Sequence, residues 1–430
     1  MEEEIPSYTL AEAISEAKRC LKCKVPQCRA GCPIENDIPA FNNALSQGNI
    51  GEAYSIISVR SNLPAVCGRV CPHENQCEGH CVMNRMKKPI NIGRIERFVA
   101  DFEADFQLTK LKKVLKTQGK VAVVGSGPAG LSCAGDLIKK GYEVTVFEAD
   151  PDVGGVLLYG IPEFRLPKQI VRREIARLQT LGVTFKTDAP FGEELTVESL
   201  KAEGFDAVFL AIGASTPNKI GVPGEDAPGS VEALDFLHKV REFEEGTLER
   251  CAVPISEGDT VVVIGAGNVA MDACRSAVRM GAKHVYVCYR RTIEFMKAAR
   301  AEYDGAVADG VEFRWEHVPV SYVLKGGVVS GLKIKTPEGE SVITANKIIA
   351  AIGSSPNSML TAITGLTLDE GGYIKTSSDP YYGATSVEGL FAAGDVVHHP
   401  KTVVMAMREG KKAASGIDAY YQAHKETVTA

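Results

Sequence analysis

Eight of the chain's twelve cysteines fall between Cys20 and Cys81, in under a fifth of its 430 residues. They form two runs: Cys20-x2-Cys23-x4-Cys28-x3-Cys32-Pro33, and Cys67-x3-Cys71-Pro72-x4-Cys77-x3-Cys81. Thiolates at this density bind a metal or pair as disulfides. The opening MEEEIPSYTL is acidic and has no apolar core of a secretory signal, so a disulfide scaffold is disfavoured. Zinc sites usually join two short C-x2–4-C units into four ligands. Here each half holds four cysteines with longer gaps and a Cys-Pro, a pairing also seen in bacterial iron–sulfur runs. Iron–sulfur is the favoured reading and zinc the alternative. The interleaved Lys18, Arg19, Lys22, Lys24 and Arg29 either offset cluster charge or form a solvated face.

A second chemistry lies in the glycines. Lys120–Val124 is an apolar run that ends in Gly125-Ser126-Gly127-Pro128-Ala129-Gly130; a helical pattern, a second strand and Glu148 follow. Strand, G-x-G-x-x-G turn, helix and an acid ~20 residues on form a dinucleotide fingerprint. Gly125 makes the tight turn, Gly127 admits the pyrophosphate, and Gly130 permits close helix packing. Pro128 and Ala129 open the helix whose N-terminus faces phosphate, and Glu148 accepts the ribose hydroxyls. The stretch from Gly154 and Gly155 through Arg165 suits a loop against a flat ring system.

The fingerprint recurs at Gly265-Ala266-Gly267-Asn268-Val269-Ala270, with alanine in the third slot. Its second strand ends in Arg290-Arg291 rather than an acid. Arginine there takes a 2′-phosphate, so NADP(H) is expected, with Lys297 near enough to join. Ala211-Ile212-Gly213 and Ala351-Ile352-Gly353 are similar strand ends that bracket this second unit, which implies insertion of one domain in another. Late in the chain Gly394-Asp395 ends a strand, and Thr402-Val403 opens a last helix. Asp395 would meet the flavin's ribityl chain, and the N–H groups at Thr402 and Val403 would favour negative charge on the ring.

The elements that must position these groups are legible in outline. Thr9 and Glu12 form a capping box for a helix through Arg19; helical stretches follow at 39–47, 50–59 and 92–106. The expected fold is α/β. Residues 1–118 form an α-helical domain around the cysteines, 119–213 with 354–430 an FAD-binding domain, and 214–353 an inserted NADP(H)-binding domain, the last two being nested Rossmann-like folds. Net charge is −6, which leaves no nucleic-acid footprint, and no apolar run reaches membrane-spanning length. A cytoplasmic protein is expected.

Taken together, these motifs resemble the small (beta) subunit of NADPH-dependent glutamate synthase and its relatives. Those include the flavin domain of dihydropyrimidine dehydrogenase and the large subunit of the NADH-dependent ferredoxin:NADP oxidoreductase. The resemblance runs from Cys20 to about Ala414. It rests on the cysteine runs, Ile90-Asn91-Ile92-Gly93 with Glu96, GSGPAG, GGVLLYGIPEFRLPK, GAGNVAMD, Tyr289-Arg290-Arg291, and AAGD followed by KTVVMAMREGKKAA. It implies FAD in the first nucleotide domain, NAD(P)H in the second and two [4Fe–4S] clusters. Cys20, Cys23, Cys28 and Cys81 would hold one cluster; Cys32, Cys71, Cys77 and Glu96 would hold the other, with Cys67 spare. Many members carry aspartate and threonine where this chain has Asn268-Val269, which bears on nicotinamide affinity. The implied activity is electron relay between NADPH and a larger acceptor subunit: that of glutamate synthase, a pyrimidine-reducing subunit or a ferredoxin-linked one. A thioredoxin-reductase-like disulfide reductase is a distant alternative, because it needs a redox cysteine pair and Cys133, Cys251, Cys274 and Cys288 are singletons. A zinc-bearing, nucleotide-sensing interaction protein is the non-enzyme alternative.

Overall fold

The structure is a computed structural model; it describes residues 3, 6–397 and 401–428. The chain divides into two compact units. One comprises Met1–Leu158, Glu163–Ala214 and Pro356–Ala430, and the other Tyr159–Pro162 and Ser215–Ser355.

In the first unit, helix Leu10–Lys18 begins at the predicted capping box. Thr9 Oγ1 accepts the Glu12 N–H at 3.3 Å, and the Glu12 carboxylate accepts the Thr9 N–H at 2.7 Å. Helices Ile38–Ser46, Ile50–Arg60 and Ile92–Phe106 follow, and their apolar faces bury Phe41, Leu45, Ile57 and Ile95 completely. Between them lies Pro64–Val70, a short helix that the apolar spacing does not announce.

The nucleotide-binding part of this unit is a five-stranded parallel sheet. Its order is Leu390–Ala392, Ala207–Leu210, Lys120–Val124, Glu143–Phe147, Thr184–Lys186. The chain winds outward from Lys120–Val124 in one direction and then returns to its other side at Ala207–Leu210. Ligands in such sheets bind at this reversal, beyond the strands' carboxyl ends. Gly125 occupies that point with φ +98°, and a Cβ there would stand 2.5 Å from the Ala211 carbonyl oxygen. Only glycine meets both demands. Helix Pro128–Lys139 packs on the long terminal helix Val403–Val428 so closely that Gly410 rests on the Ala129 carbonyl.

Buried polar contacts dock the cysteine-bearing helices onto this sheet domain. Asn62 Nδ2 donates to the Ser132 carbonyl at 3.0 Å and to Asp136 at 2.8 Å. Arg177 pairs with the buried Glu103 at 2.6 Å. Glu174, 3% exposed on helix Lys168–Leu181, accepts the Ala65 N–H at 3.0 Å. A buried carboxylate separated from such partners is left unsatisfied, so these contacts hold the helices in one body with the sheet.

The second unit repeats the scheme. Its parallel sheet runs Ser230–Glu232, Lys347–Ala350, Thr260–Ile264, His284–Tyr289, Glu312–Trp315. Gly265 stands at its turn with φ +131°, against the Ala351 carbonyl, as Gly125 stands against Ala211. A three-stranded antiparallel sheet, Val318–Lys325, Val328–Thr336 and Gly339–Thr344, is an addition that the nucleotide-fold pattern does not predict. Thr216–Pro217 and Ser354–Ser355 pair antiparallel, so the strands where the chain enters and leaves this unit lie side by side. Among the described residues, no helix is long and apolar enough to cross a membrane.

Candidate cofactor sites

Cys20, Cys23, Cys28 and Cys81 line one cavity with Leu21, Ile38 and Ile92, although Cys81 is far from the others in sequence. Among the described residues, no three His, Cys, Asp or Glu side chains converge closely enough for a single metal ion. The four thiols instead surround a space, which is the arrangement a polynuclear cluster requires. Burial, helped by the neighbouring Cys20, Cys81 and Cys23, pushes the Cys28 thiol up to about 12. Cys20 is raised for the same reasons. As thiolates they would need an adjacent metal cation, which would offset the cost of their burial.

Cys32, Cys71, Cys77 and Glu96 gather at a second place. Burial lifts Cys32 to about 11, with Glu96 and Cys67 adding to it. Cys71 is raised by its contact with Cys67 first and by burial second; Cys77 is raised by burial and then by Cys32. Glu96 projects from the first turns of helix Ile92–Phe106 and is 8% exposed. Burial raises its carboxyl to about 8, and its Oε1 has no hydrogen-bond partner among the described residues. An orphaned carboxylate oxygen among three thiols fits the fourth position of a cluster. Cys67 is buried on the same helix as the residues leading to Cys71, with Ser61 Oγ 3.9 Å from its sulfur.

Two further side chains shape this region. The His73 ring lies against Gly93 so tightly that a Cβ there would collide with it. Burial holds His73 down at about 4, which keeps the ring neutral. Glu78 accepts the Gly93 N–H at 3.0 Å and pins the turn that leads to Glu96. Sequence reasoning misses both, since the only signal is their place between ligand cysteines.

At the first dinucleotide turn, Gly127 is the N-cap of helix Pro128–Lys139, and the space beyond its Cα is open. Gly130 rests on the Gly125 carbonyl, and Ala129 lies beneath Gly394. Glu148, 7% exposed, already has protein partners. One oxygen accepts the Ser126 N–H at 3.0 Å and the Ser126 hydroxyl; the other accepts the Asp150 N–H at 3.1 Å. Ser126 Oγ in turn accepts the Gly154 N–H at 2.7 Å, which carries Gly155 against Gly127. Glu148 therefore builds the cradle as well as offering an acceptor. Arg165 is half-buried beyond that loop. The buried Lys168, which closes the GGVLLYGIPEFRLPK stretch, donates to the Leu157 and Leu166 carbonyls, each at 3.2 Å, and ties the loop down. Burial lifts Asp395 to about 6 against the pull of Lys401. Thr402 caps the terminal helix: its Oγ1 accepts the Met405 N–H at 3.4 Å, and Val403 is the first helical residue. These parts fit a dinucleotide: an open glycine cap, a buried acid and a second helix N-terminus.

In the second unit Gly267 caps helix Asn268–Arg279, again with open space beyond it; Val269 is in the first turn. Asn268 Oδ1 accepts the Ala299 N–H at 3.0 Å, and Lys297 and Ala298 donate backbone N–H groups to the Ala266 carbonyl at 3.1 Å. The segment carrying Lys297 is thus folded onto the glycine turn. An amide oxygen suffices for the contact to Ala299, so asparagine does not disrupt the turn. Arg290, Arg291 and Lys297 are all exposed, and no acid among the described residues pairs with them. The Arg291 guanidinium lies 5.5 Å from the centre of the Phe295 ring. Gly353, with φ +94°, follows strand Lys347–Ala350, and its carbonyl accepts the Asn218 N–H at 3.0 Å. All twelve cysteines are free; Cys133, Cys274 and Cys288 are buried apart, so no redox pair accompanies either nucleotide site.

Comparison with known proteins bears directly on this arrangement. Residues 119–410 match the pyridine nucleotide-disulphide oxidoreductase family, and residues 1–108 match dihydropyrimidine dehydrogenase domain II, 4Fe-4S cluster. The glutamate synthase [NADPH] small chain of Escherichia coli K12 is 37% identical over 95% of this chain and 92% of its own. The subunit PreT of NAD-dependent dihydropyrimidine dehydrogenase from the same organism is 35% identical, over 98% and 97%. Among solved structures, an FprA mutant from Mycobacterium tuberculosis superposes with a TM-score of 0.59 at 18% identity, over 72% of this chain and 86% of that one, which speaks to the fold alone.

Proposed function

Because the chain belongs to the glutamate synthase small-chain family of NAD(P)H-dependent flavin and iron–sulfur oxidoreductases, we propose that it passes electrons from NADPH to a larger acceptor subunit in the cytoplasm. In this reading residues 1–118 carry the clusters, 119–213 with 354–430 hold FAD, and 214–353 hold NADP(H). Bound FAD would supply the conversion between two-electron hydride and single-electron transfer, and two [4Fe–4S] clusters would supply single-electron carriers.

The observation that carries the reading is the sorting of the cysteines. Cys20, Cys23, Cys28 and Cys81 share one cavity, and Cys32, Cys71 and Cys77 share their surroundings with Glu96. Cys20, Cys23, Cys28 and Cys81 would hold one cluster, and Cys32, Cys71, Cys77 and Glu96 the other. Gly125, Gly127 and Gly130 leave backbone room for the FAD pyrophosphate, and Asp395 and the Thr402–Val403 helix start serve the flavin end. Gly265 and Gly267 do the same for NADP(H), with Arg290, Arg291 and Lys297 on its 2′-phosphate. No side chain is required to move a proton during hydride transfer. The chain's task is to place the two dinucleotides and to keep the thiols in two separate groups.

The PreT relative supports a second reading, in which the acceptor subunit reduces a pyrimidine. The arginine pair favours NADPH over that relative's NAD. An absorption spectrum and a dye assay test the proposal together. The purified chain should show flavin bands over broad cluster absorption and reduce dyes with NADPH. It should leave glutamine plus 2-oxoglutarate, and uracil, unchanged. Flavin bands alone would return the disulfide-reductase reading, and turnover of either physiological substrate would place the acceptor site in this chain.

A further inference from the structure

The rim of the Cys20–Cys81 site has an unusual charge. Segments 18–29 and 82–88 contain eight Lys and Arg and no Asp or Glu, in a chain of net charge −6. Arg19 is held by Glu16 at 2.6 Å and Arg29 by Asp37 at 3.6 Å. The other six, Lys18, Lys22, Lys24, Arg85, Lys87 and Lys88, are exposed, and none has an acidic partner among the described residues. Lys22 and Lys87, one in each segment, sit in the left-handed region with φ +51° and +54°.

Within this collar the apolar side chains point outward. Leu21 is 62% exposed, Val25 74% and Met86 61%, and Leu21 also lines the cysteine cavity. An apolar centre inside a charged rim is the anatomy of a protein interface. Besides its thiols the cavity is lined mainly by apolar residues, with Gln27 and Asn42 and no Lys or Arg, so the cations stand outside it in water. There they are screened over roughly 8 Å at physiological ionic strength, and their field acts mainly on molecules that approach the face.

We propose that this face is the docking surface for the electron acceptor, and that the acceptor presents a carboxylate-rimmed apolar patch over its own redox centre. The inference rests on the relay reading above and adds the partner's chemistry. Leu21, Val25 and Met86 make the dry contact that brings the two centres close. The lysines steer the approach and set its orientation, which controls association rate more than final affinity.

The holoprotein with NADPH can be tested against two haem acceptors of opposite charge: soluble cytochrome b5, which is acidic, and cytochrome c, which is basic. Cytochrome b5 should be reduced faster, and its rate should fall by roughly tenfold as sodium chloride rises from about 0.02 to about 0.3 M. The variant Lys24→Glu/Arg85→Glu/Lys87→Glu should raise the KM for cytochrome b5 by at least about tenfold. It should leave NADPH–dye turnover, iron content and cluster potentials unchanged. Loss of dye turnover or of clusters in the parent protein would instead refute the relay reading. If the parent passes those controls, three results overturn the docking proposal. They are no preference for cytochrome b5, an unchanged KM in the variant, or a shifted cluster potential at constant KM, which would assign the cations to the cluster.

Discussion

Cys67 Sγ lies 3.4 Å from Met407 Sδ, which joins helix Pro64–Val70, the one that leads to Cys71, to the terminal helix that starts at Val403. Both side chains are buried, and a soft thioether is well suited to fill such a junction. Cys67 thus has a packing role that does not require iron, while Glu96 has an oxygen with no protein partner among the described residues. Counting alone would give eight cysteines to two clusters.

The first prediction follows from that contrast. Cys67→Ala should keep about eight irons per chain, as two four-iron clusters demand, and lose only about 1–2 kcal/mol of stability to the cavity. Glu96→Ala should lose or alter the signal of one cluster. Iron analysis and electron paramagnetic resonance decide it. Loss of a cluster from the cysteine variant, with the glutamate variant intact, would restore the all-cysteine count.

Nicotinamide choice is a second test. Arg290 and Arg291 follow strand His284–Tyr289 unpaired by acids among the described residues, beside the loop that brings Lys297 to the Ala266 carbonyl. Replacing both arginines with alanine should weaken NADPH binding by about 1–3 kcal/mol for each charge-assisted hydrogen bond removed, and NADH binding little. The ratio of kcat/KM for the two cofactors reads this directly; an unmoved ratio would remove the arginines from the 2′-phosphate site.

Much of this is legible in the sequence, for a definable reason. The two glycine turns, helices Leu10–Lys18 and Ile92–Phe106, and the strand ends at Gly213 and Gly353 follow local rules of capping, periodicity and φ. Helix Pro64–Val70 is not legible. It is seven residues long, contains Gly68, and its N-terminal N–H is satisfied by Glu174, 109 positions away. The antiparallel strands between Val318 and Thr344 escape notice because the nucleotide fingerprint says nothing about an added sheet. Spacing presents Glu148 as a ribose acceptor, while its part in positioning Ser126 and Gly154 depends on a loop whose path no spacing reveals.

Asp395 supplies a pH test. Burial raises its carboxyl from 3.8 to about 6 in the folded chain. Between those values the native state holds a proton that the unfolded state has released, so stability falls as pH rises through that window. Full loss above it amounts to about 2–3 kcal/mol for a shift of this size. In flavin-free protein, Asp395→Asn should abolish this component, so that the variant gains stability relative to wild type as pH rises from about 4 to about 7. Parallel denaturant curves at the two pH values would remove the burial argument if the difference between the proteins stayed constant.

The last prediction concerns how the cluster helices are held to the flavin domain. Glu174 is almost wholly buried, and burial is the main cause that raises its carboxyl to about 7. One oxygen accepts the Ala65 N–H in the first turn of helix Pro64–Val70, where Leu63 offers no side-chain cap. A carboxylate at a helix N-terminus satisfies an orphan donor and favours the dipole. Here it does so across from the sheet domain, and the helix it caps leads to Cys71. Glu174→Ala should leave that N–H buried and unpaired, at a cost of about 1–3 kcal/mol. Glu174→Gln keeps a carbonyl oxygen for the bond and removes a charge that is costly to bury, so it should unfold close to wild type below a pH of about 4.5 and be no less stable than wild type above about 7. The alanine variant should also lose iron faster to a chelator, because the helix carrying Cys67 and leading to Cys71 is loosened at its start. Equal stability and equal iron loss in the two variants would mean that the contact to Ala65 contributes nothing, and that the domains are held by Asn62 and Glu103 instead.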